Sequence, residues 1–554
     1  MTLIERAGHV SSVMVETNPA PALDLTRLVA RLEGRAEAGI TAFEGGRPVR
    51  RSHAVLFGDV AEAVAKLKRW GVRPGMRVGI RAGNCYAWLV FDLALIEIRA
   101  VSVAFTDDFQ NDDPITLCER YALSLMLLGG RRKPEAGDQP GIAYFEETND
   151  GVRCMDRGVS DPDPDFASPF LAFSSGSSGG LKGLTLNRRG IEVNITAFSR
   201  ALALGPGDRL LVFLPISNFQ QRMQYFSALW YGYDVIVTDS ARLFHALKTL
   251  EPTFIIAPPS FWEAFETRFA NLPRWKKRLI TLVADSIALR PSQIWRRRMA
   301  AWLFADAWRT FGGNARVMIT GMAPIKNSVL VLFRRMQAPL FQTYGLAEVG
   351  SVALNMPGAN RIGSTGRLLP GLEVTFADDG EIIVHREHPV VTKYFQCAEG
   401  ENERTFIGGG RVATGDIGRL DPDGYLYVTG RKKEVIVTAG GEKLHPEAME
   451  AEIDACEDVA KSVVFGGPAV PYLFAVILPR KPDDLAAHRR IEEHVDRLGT
   501  KRPGRSVGRI IFTDLAFTRE NGFLRPNLKL DRRRIAERFR SEMPALEHSI
   551  GDGR

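Results

Sequence analysis

Residues 173–184 read FSSGSSGGLKGL, with four glycines, four serines and one lysine in twelve positions. Glycine permits unusual backbone angles and close approach of a ligand, and successive N–H groups in such turns form an anion-binding nest. The serine hydroxyls and the ammonium of Lys182 add donors, so the guest that suits this stretch is a polyphosphate. A short apolar run at 170–173 precedes it and a helix-compatible segment near Ile191 follows, which predicts strand, loop and helix. The spacing is neither the dinucleotide G-x-G-x-x-G nor a P-loop, because Leu181 precedes Lys182 and Gly183 follows it. Taken alone, such a stretch reads first as a flexible loop or linker, and the rest of the chain has to decide.

The chain has 554 residues, 45% hydrophobic and 25% charged, with a net charge of +7. That length predicts several domains or subdomains, and the composition excludes disordered and fibrous classes. Basic clusters at 276–278, 296–298 and 532–534 read as solvated helix faces, and no nucleic-acid partner is expected. Five scattered cysteines, Cys85, Cys118, Cys154, Cys397 and Cys456, contain no C-x-x-C, so neither a disulfide framework nor a zinc site is expected and a reducing cytoplasm fits. The N-terminus lacks a signal peptide's apolar core, and no run reaches the length of a membrane span.

Along the chain the pattern is α/β. Residues 52–70 have helical spacing, Gly71-Val72-Arg73-Pro74-Gly75 forces a turn, and 77–81 reads as a strand. The apolar stretch 88–105, carrying Asp92, Glu97 and Arg99, is expected to be a buried helix leading into a strand, which completes a β-α-β unit. Residues 130–168 read as a polar loop. Apolar runs at 210–216, 235–237, 253–257, 279–284 and 317–320 are expected as strands separated by helices. Asp379-Gly380 marks a hairpin turn, and 462–465, 473–478 and 509–512, with a helix near 482–498, make a small α/β unit at the end.

The motifs of this chain resemble, in order from about residue 52 to 534, those of the adenylate-forming superfamily, closest to long-chain fatty acyl-CoA synthetases and with some features of fatty acyl-AMP ligases. The opening stretch resembles T-S-G-T/S-T-G-x-P-K-G-V, with Ser for Thr and Leu181 for Pro. Ser217-Asn218-Phe219-Gln220-Gln221-Arg222 is similar to x-H-x-x-E-R, with Asn218 at the His position. Gly321-Met322-Ala323-Pro324 is similar to G-G-A-P, and Tyr344-Gly345-Leu346-Ala347-Glu348 to Y-G-x-T-E. Thr414-Gly415-Asp416, Gly430-Arg431, the run from Ala439 to Pro446 and the closing Asn521-Gly522-Phe523-Leu524 with Pro526 and Lys529 complete the series.

The resemblance implies an α/β fold. A large adenylation domain at 1–432, with parallel sheets, helices and a small β-rich subdomain, would be followed by a small mobile α/β domain at 433–554. It also implies roles. Ser174, Ser175, Gly176, Ser177, Ser178, Gly179 and Lys182 would hold the ATP phosphates, Gly321, Ala323, Tyr344 and Gly345 the adenine, and Asp416 and Arg431 the ribose. Glu348 would hold Mg²⁺, Lys529 would be the catalytic lysine, Lys433 the hinge, and Asn218 and Phe219 would border the acyl pocket. The expected reaction activates a carboxylic acid, fatty or polyketide-like, to an acyl-adenylate and transfers it to CoA. An acyl-carrier protein is the alternative acceptor, and a non-catalytic nucleotide- or acyl-binding homologue is the alternative of another class.

Overall fold

Strand Leu340–Leu346 decides how the larger sheet is built. Its first half lies parallel to Val317–Thr320, with Met318 opposite Leu340 and Thr320 opposite Gln342, and its second half runs antiparallel to Gly350–Leu354. On the parallel side follow Phe254–Ala257, Arg209–Val212, Asp234–Val237 and Gly39–Glu44, with Arg47–Ser52 as an antiparallel edge. On the other side the sheet continues antiparallel through Gly366–Leu368, Tyr425–Arg431, Arg411–Leu420 and Glu381–His385 to Glu373–Phe376, making thirteen strands. Phe376 faces Ile382 across the Asp379-Gly380 turn, as its hairpin signature predicts. The computed structural model describes residues 21–130, 140–146, 152–155, 166–175, 181–438, 443–467, 470, 472–500, 506–518, 520–524 and 530–543.

A second sheet of seven strands has the order Val391–Phe395, Leu181–Leu186, Phe170–Ser175, Val101–Ala104, Arg77–Arg81, Leu125–Leu128, Ile142–Tyr144. Helices lie between the two sheets. Tyr86–Ile98, buried along nearly its whole length, packs on strands of both, and Phe219–Tyr231 packs on the larger sheet while Phe219 and Phe226 meet Phe170 of the smaller one. A helix covered on both sides has no polar face to spare, which explains the near-continuous apolar run at 86–98.

Asp92 and Arg222 join those two helices. Both are fully buried and ion-paired, with Arg222 Nε donating to Asp92 Oδ2 at 3.2 Å and a closer contact from Nη2 to Oδ1. Ser102 Oγ donates to Asp92 Oδ1 at 2.9 Å, and the Tyr225 hydroxyl donates to Oδ2. The guanidinium lies 4.3 Å from the ring centroid of Phe170. The pair therefore connects two helices to the strands Val101–Ala104 and Phe170–Ser175.

The C-terminal part forms a separate three-stranded sheet, with Val459–Phe465 antiparallel and Val507–Phe512 parallel to Leu473–Pro479. Helices Pro446–Ile453 and Leu485–Thr500 accompany it. Lys326 Nζ donates to Ala460 O at 2.6 Å, and Arg480 pairs with Glu266 at 2.6 Å, so this unit touches the larger part of the chain. Among the described residues no helix is long and apolar enough to cross a membrane.

Three expectations are corrected. Residues 279–284 are not a strand but lie inside helix Arg274–Ala288, which buries Ala284 and Ile287 at helical spacing and leaves Leu279, Leu282 and Val283 exposed. The strand expected over 210–216 ends at Val212, before Pro215 could interrupt its ladder. The polar stretch 130–168 contributes the edge strand Ile142–Tyr144.

Replacing Asp92 by Ala would strand the Arg222 charge in the interior and is expected to destabilise the protein by about 3–5 kcal/mol. Urea unfolding measures this, and a loss under about 1 kcal/mol would show that the pair is not a structural tie.

Candidate functional site: the seam of two sheets

The Gly/Ser-rich stretch sits in a β-hairpin. Phe170–Ser175 pairs antiparallel with Leu181–Leu186, Ser174 lies opposite Lys182, and helix Arg188–Ala201 begins only after the second strand. The expected order of strand, loop and helix thus gains a strand, in which Leu184 and Leu186 are buried while Lys182 and Thr185 are half-buried. Gly176, Ser177, Ser178 and Gly179 lie outside the described residues, as does the side chain of Ser175. On its other side Leu181–Leu186 pairs with Val391–Phe395. Gly183 faces Phe395 so closely that a Cβ on it would lie 3.0 Å from Phe395 Cβ, and this closeness favours glycine there.

That third strand brings Lys182 and Glu348 together. Lys182 Nζ is ion-paired with Glu401 and lies 4.6 Å from the ring centroid of Tyr394. The Tyr394 hydroxyl donates to Glu348 Oε1 at 2.9 Å, and the amide of Val391 donates to Glu348 O at 3.0 Å. Burial first, and then the Glu348 carboxylate, push the Tyr394 hydroxyl well above its ordinary pKa and keep it a donor. Glu348 follows the strand Leu340–Leu346 of the large sheet, whereas Lys182 and Tyr394 belong to the small one, so the two sheets meet at this carboxylate. Sequence reasoning missed Tyr394 and Glu401. The only local trace is the acidic run Glu399, Glu401 and Glu403, directly after the alternating strand Val391–Phe395.

Four residues before Glu348, Tyr344 is buried and donates its hydroxyl to Asp416 Oδ2 at 2.8 Å. Arg431 Nε lies 3.1 Å from Asp416 Oδ1, and the two residues face each other across neighbouring strands. Desolvation and the Asp416 charge raise the Tyr344 hydroxyl well above its ordinary pKa. The Asp416 carboxylate, with about four lone-pair sites, takes the Tyr344 hydroxyl on one oxygen and Arg431 on the other. Gly321 follows the parallel strand Val317–Thr320; a Cβ there would stand 2.8 Å from Thr343 Cγ2, and one on Gly345 would stand 2.4 Å from Gly350 O. The loop beyond a parallel strand's carboxyl end, where a sheet changes its connectivity, is where α/β proteins bind ligands. Ala323 is half-buried in that loop. Met322 adopts φ +69°, a left-handed conformation that costs a side-chain-bearing residue on the order of 1 kcal/mol.

The remaining expected residues sit elsewhere. Asn218 caps helix Phe219–Tyr231, accepting from Gln220 N at 3.2 Å, and Phe219 is buried against Phe170 with ring centroids 5.5 Å apart. Lys433 is exposed in the turn Lys432–Glu434 that follows Arg431. Lys529 lies outside the described residues; Leu524 and Leu530 form a bridge on either side of it in sequence.

Residues 33–389 match the model of the AMP-binding enzyme family, well over half of the chain. The chain belongs to that family. The membership of the adenylate-forming superfamily expected from the motifs is thereby shown, and with it an α/β adenylation fold. The chain is 26% identical to the long-chain-fatty-acid–CoA ligase FadD15 of Mycobacterium bovis, covering 88% of this chain and 90% of that one. It is 24% identical to the human long-chain-fatty-acid–CoA ligase 1, over 87% and 80% of the two chains. In fold it is similar to the o-succinylbenzoate CoA synthetase of Bacillus subtilis solved with its acyl-adenylate intermediate, with a TM-score of 0.68 and 18% identity over 98% and 99% of the chains.

The donor set fits the nucleotide of an AMP-binding enzyme. Among the described residues no cluster of three or more His, Cys, Asp or Glu converges on a metal. Mg²⁺ needs no such cage, because it is commonly held by one or two carboxylates while phosphates and water complete its shell, and the Glu348 carboxylate would fit that requirement. Changing Asp416 to Asn is expected to raise KM for ATP roughly 10- to 100-fold, the worth of hydrogen bonds to a charged acceptor. An unchanged KM in a folded variant would remove Asp416 from the nucleotide site.

Beyond Arg431, Lys432 bridges Asp379 and Glu381 at 2.7 Å each, while Glu434 takes a 3.2 Å contact from Arg532 Nε and shares a hydrogen bond with Glu447. Burial, followed by the Glu434 contact, pushes the Glu447 carboxyl up from 4.5 to about 8. Between those values the folded chain holds a proton that the unfolded chain has released, so this group's contribution to stability falls as pH rises and is gone above about pH 8. Glu447→Gln cannot titrate. Its unfolding midpoint should exceed the parent's above pH 8 and approach it near pH 5; a difference independent of pH would contradict the assignment.

Proposed function

We propose that the chain uses ATP to convert a carboxylic acid, most simply a fatty acid, to an acyl-adenylate and then transfers the acyl group to CoA. The observation that carries this reading is the convergence at one strand end. Lys182 and Glu348 meet over Tyr394, and Tyr344, Asp416 and Arg431 cluster four residues upstream of Glu348, offering phosphate and ribose partners for one nucleotide. The names of the relatives support the acid and the thiol.

A carboxylate is a poor acylating agent because its leaving group would be oxide. In the first step its oxygen attacks the α-phosphorus of ATP, an O–P bond forms, and the bond to the β-phosphate breaks with release of pyrophosphate. The nucleophile is already anionic, so no general base is required, and positioning and electrostatics supply the catalysis. Lys182, with the hairpin loop, would neutralise the phosphates. Mg²⁺ held at Glu348 would supply a Lewis-acid charge between them. Asp416 and Arg431 orient the ribose, Gly321, Ala323, Tyr344 and Gly345 would line the adenine, and Lys529 would bridge the carboxylate and the α-phosphate.

In the second step a thiol sulfur attacks the acyl carbonyl and AMP leaves. A rotation of residues 433–554 about Lys433 would withdraw Lys529 and clear the thiol's approach. The reducing cytoplasm is a fitting place for a thiol acceptor. An acyl-carrier protein is the second reading, supported by Ala347, which fatty acyl-AMP ligases share. Basic residues at 532–534 would be the place for such an acidic partner, but Arg532 is taken up by Glu450 at 2.6 Å and by Glu434, and Arg533 by Glu537 at 3.0 Å.

Pyrophosphate release across a panel of acids tests the first step, and adding CoA or a carrier protein tests the second. Lys529→Ala should slow adenylation roughly 100-fold or more in a folded protein, and Lys182→Ala should mainly raise KM for ATP. Absence of any acid-dependent pyrophosphate release from folded parent protein would sink the ligase reading and favour a non-catalytic binding homologue.

A further inference from the structure

The helical hairpin built by Arg274–Ala288 and Gln293–Leu303 contains two of the basic clusters of the sequence and none of the site residues. Helix Arg274–Ala288 has apolar residues on two opposite faces. One carries Ala284 and Ile287 into the protein. The other shows Trp275, Leu279, Leu282 and, just past the helix, Leu289 to solvent at 64, 54, 67 and 87% exposure. Positions i, i+4, i+7 and i+14 share one side of a helix, so this is a single stripe. The second helix adds Ile294 and Trp302, 71 and 73% exposed. Isolated exposed apolar side chains are ordinary, but a stripe on one side of one helix, with more on the helix packed beside it, marks an interaction surface.

The charge around the stripe names the partner. Residues 274–303 hold eight Lys and Arg and one acid, Asp285, which gives this hairpin the same formal charge as the entire chain. Asp285 is itself engaged by Arg335, at 2.9 Å from Nε and 3.2 Å from Nη2. Lys276, Arg278, Arg290 and Arg298 are all exposed, and on a helical wheel Lys276 and Arg278 flank the apolar stripe. Arg297 Nη2 donates to Ala315 O at 3.0 Å, which ties the hairpin to the body below it. Aromatic and aliphatic residues on one side of a helix with a basic border are the composition of helices that lie in a lipid headgroup layer. A nucleic acid would be served by the cations and the tryptophans but not by exposed Leu279, Leu282, Leu289 and Ile294.

We propose that this hairpin docks the protein on an anionic lipid surface, with the Trp275–Leu279–Leu282 stripe inserted among the headgroups and the basic border facing lipid phosphates. The proposal is independent of the ligase reading. Each basic residue near an anionic surface is worth roughly a factor of five in partitioning, and salt should weaken the attraction.

Co-sedimentation of the full chain with vesicles of phosphatidylcholine alone, or with about one-third phosphatidylglycerol, tests it. The parent should partition at least about tenfold more strongly onto the anionic vesicles, with a blue shift of tryptophan emission. Trp275→Ser/Leu282→Ser/Trp302→Ser and Arg278→Glu/Arg298→Glu should each lose about tenfold or more. Unchanged near-ultraviolet circular dichroism would show that both variants are folded, and a salt titration of the parent needs no variant. Absence of preference for anionic vesicles in the parent would overturn the proposal, as would equal binding by folded variants. A dimer dissolved by the serine variant, or an oligonucleotide complex dissolved by the charge-reversed one, without vesicle binding, would assign the surface to another occupant and overturn it too.

Discussion

A fully buried ion pair holds this architecture together. Asp92 and Arg222 come from helices in the layer between two sheets, and neither charge has access to water. Such a pair contributes little net stability compared with well-packed apolar residues, but either partner alone in the interior is costly. Its effect on the fold therefore comes from the elements it joins rather than from net stability. With Ser102 and Tyr225 on the same carboxylate and Phe170 under the guanidinium, strands 101–104 and 170–175 are set against helix Phe219–Tyr231 in one arrangement.

That arrangement fixes where the proposed nucleotide site can form. The hairpin bearing Lys182 extends the strand that carries Phe170, so its position inherits the packing around Arg222. The opposing wall comes from strand Leu340–Leu346, at the change from parallel to antiparallel pairing. The walls are joined at Glu348, through its own carbonyl to Val391 and its side chain to Tyr394. The lysine proposed for the phosphates and the carboxylate proposed for the metal, from two sheets, are thus indexed to each other by one tyrosine.

Much of the fold was legible because it is local. The helix at 52–70, the strand at 77–81, the buried helix at 88–98 and the Asp379-Gly380 turn each have their cause within a few residues. Residues 279–284 misled because a run of large apolar side chains resembles a buried strand, whereas half of them face outward from a helix. The strand at 181–186 was hidden by its own glycine and lysine and is completed by pairing with residues two hundred positions away. The motif residues Tyr344, Glu348, Asp416 and Arg431 could be named from the sequence. Tyr394 and Glu401 could not, since their relation to Lys182 exists only once Val391–Phe395 has joined the small sheet.

The resident partner of Lys182 has one more consequence. A lysine that waits in water exchanges loosely held counterions when a phosphate arrives, and its affinity falls steeply with salt. Lys182 already has Glu401, so a phosphate bound there as proposed would have to displace a carboxylate that the fold itself supplies. Added salt screens the old contact and the new one alike, and the two losses offset. With that exchange Lys182 would depend less on ionic strength than a lysine whose counterions come from solution, and a liberated Glu401 would mark an occupied site.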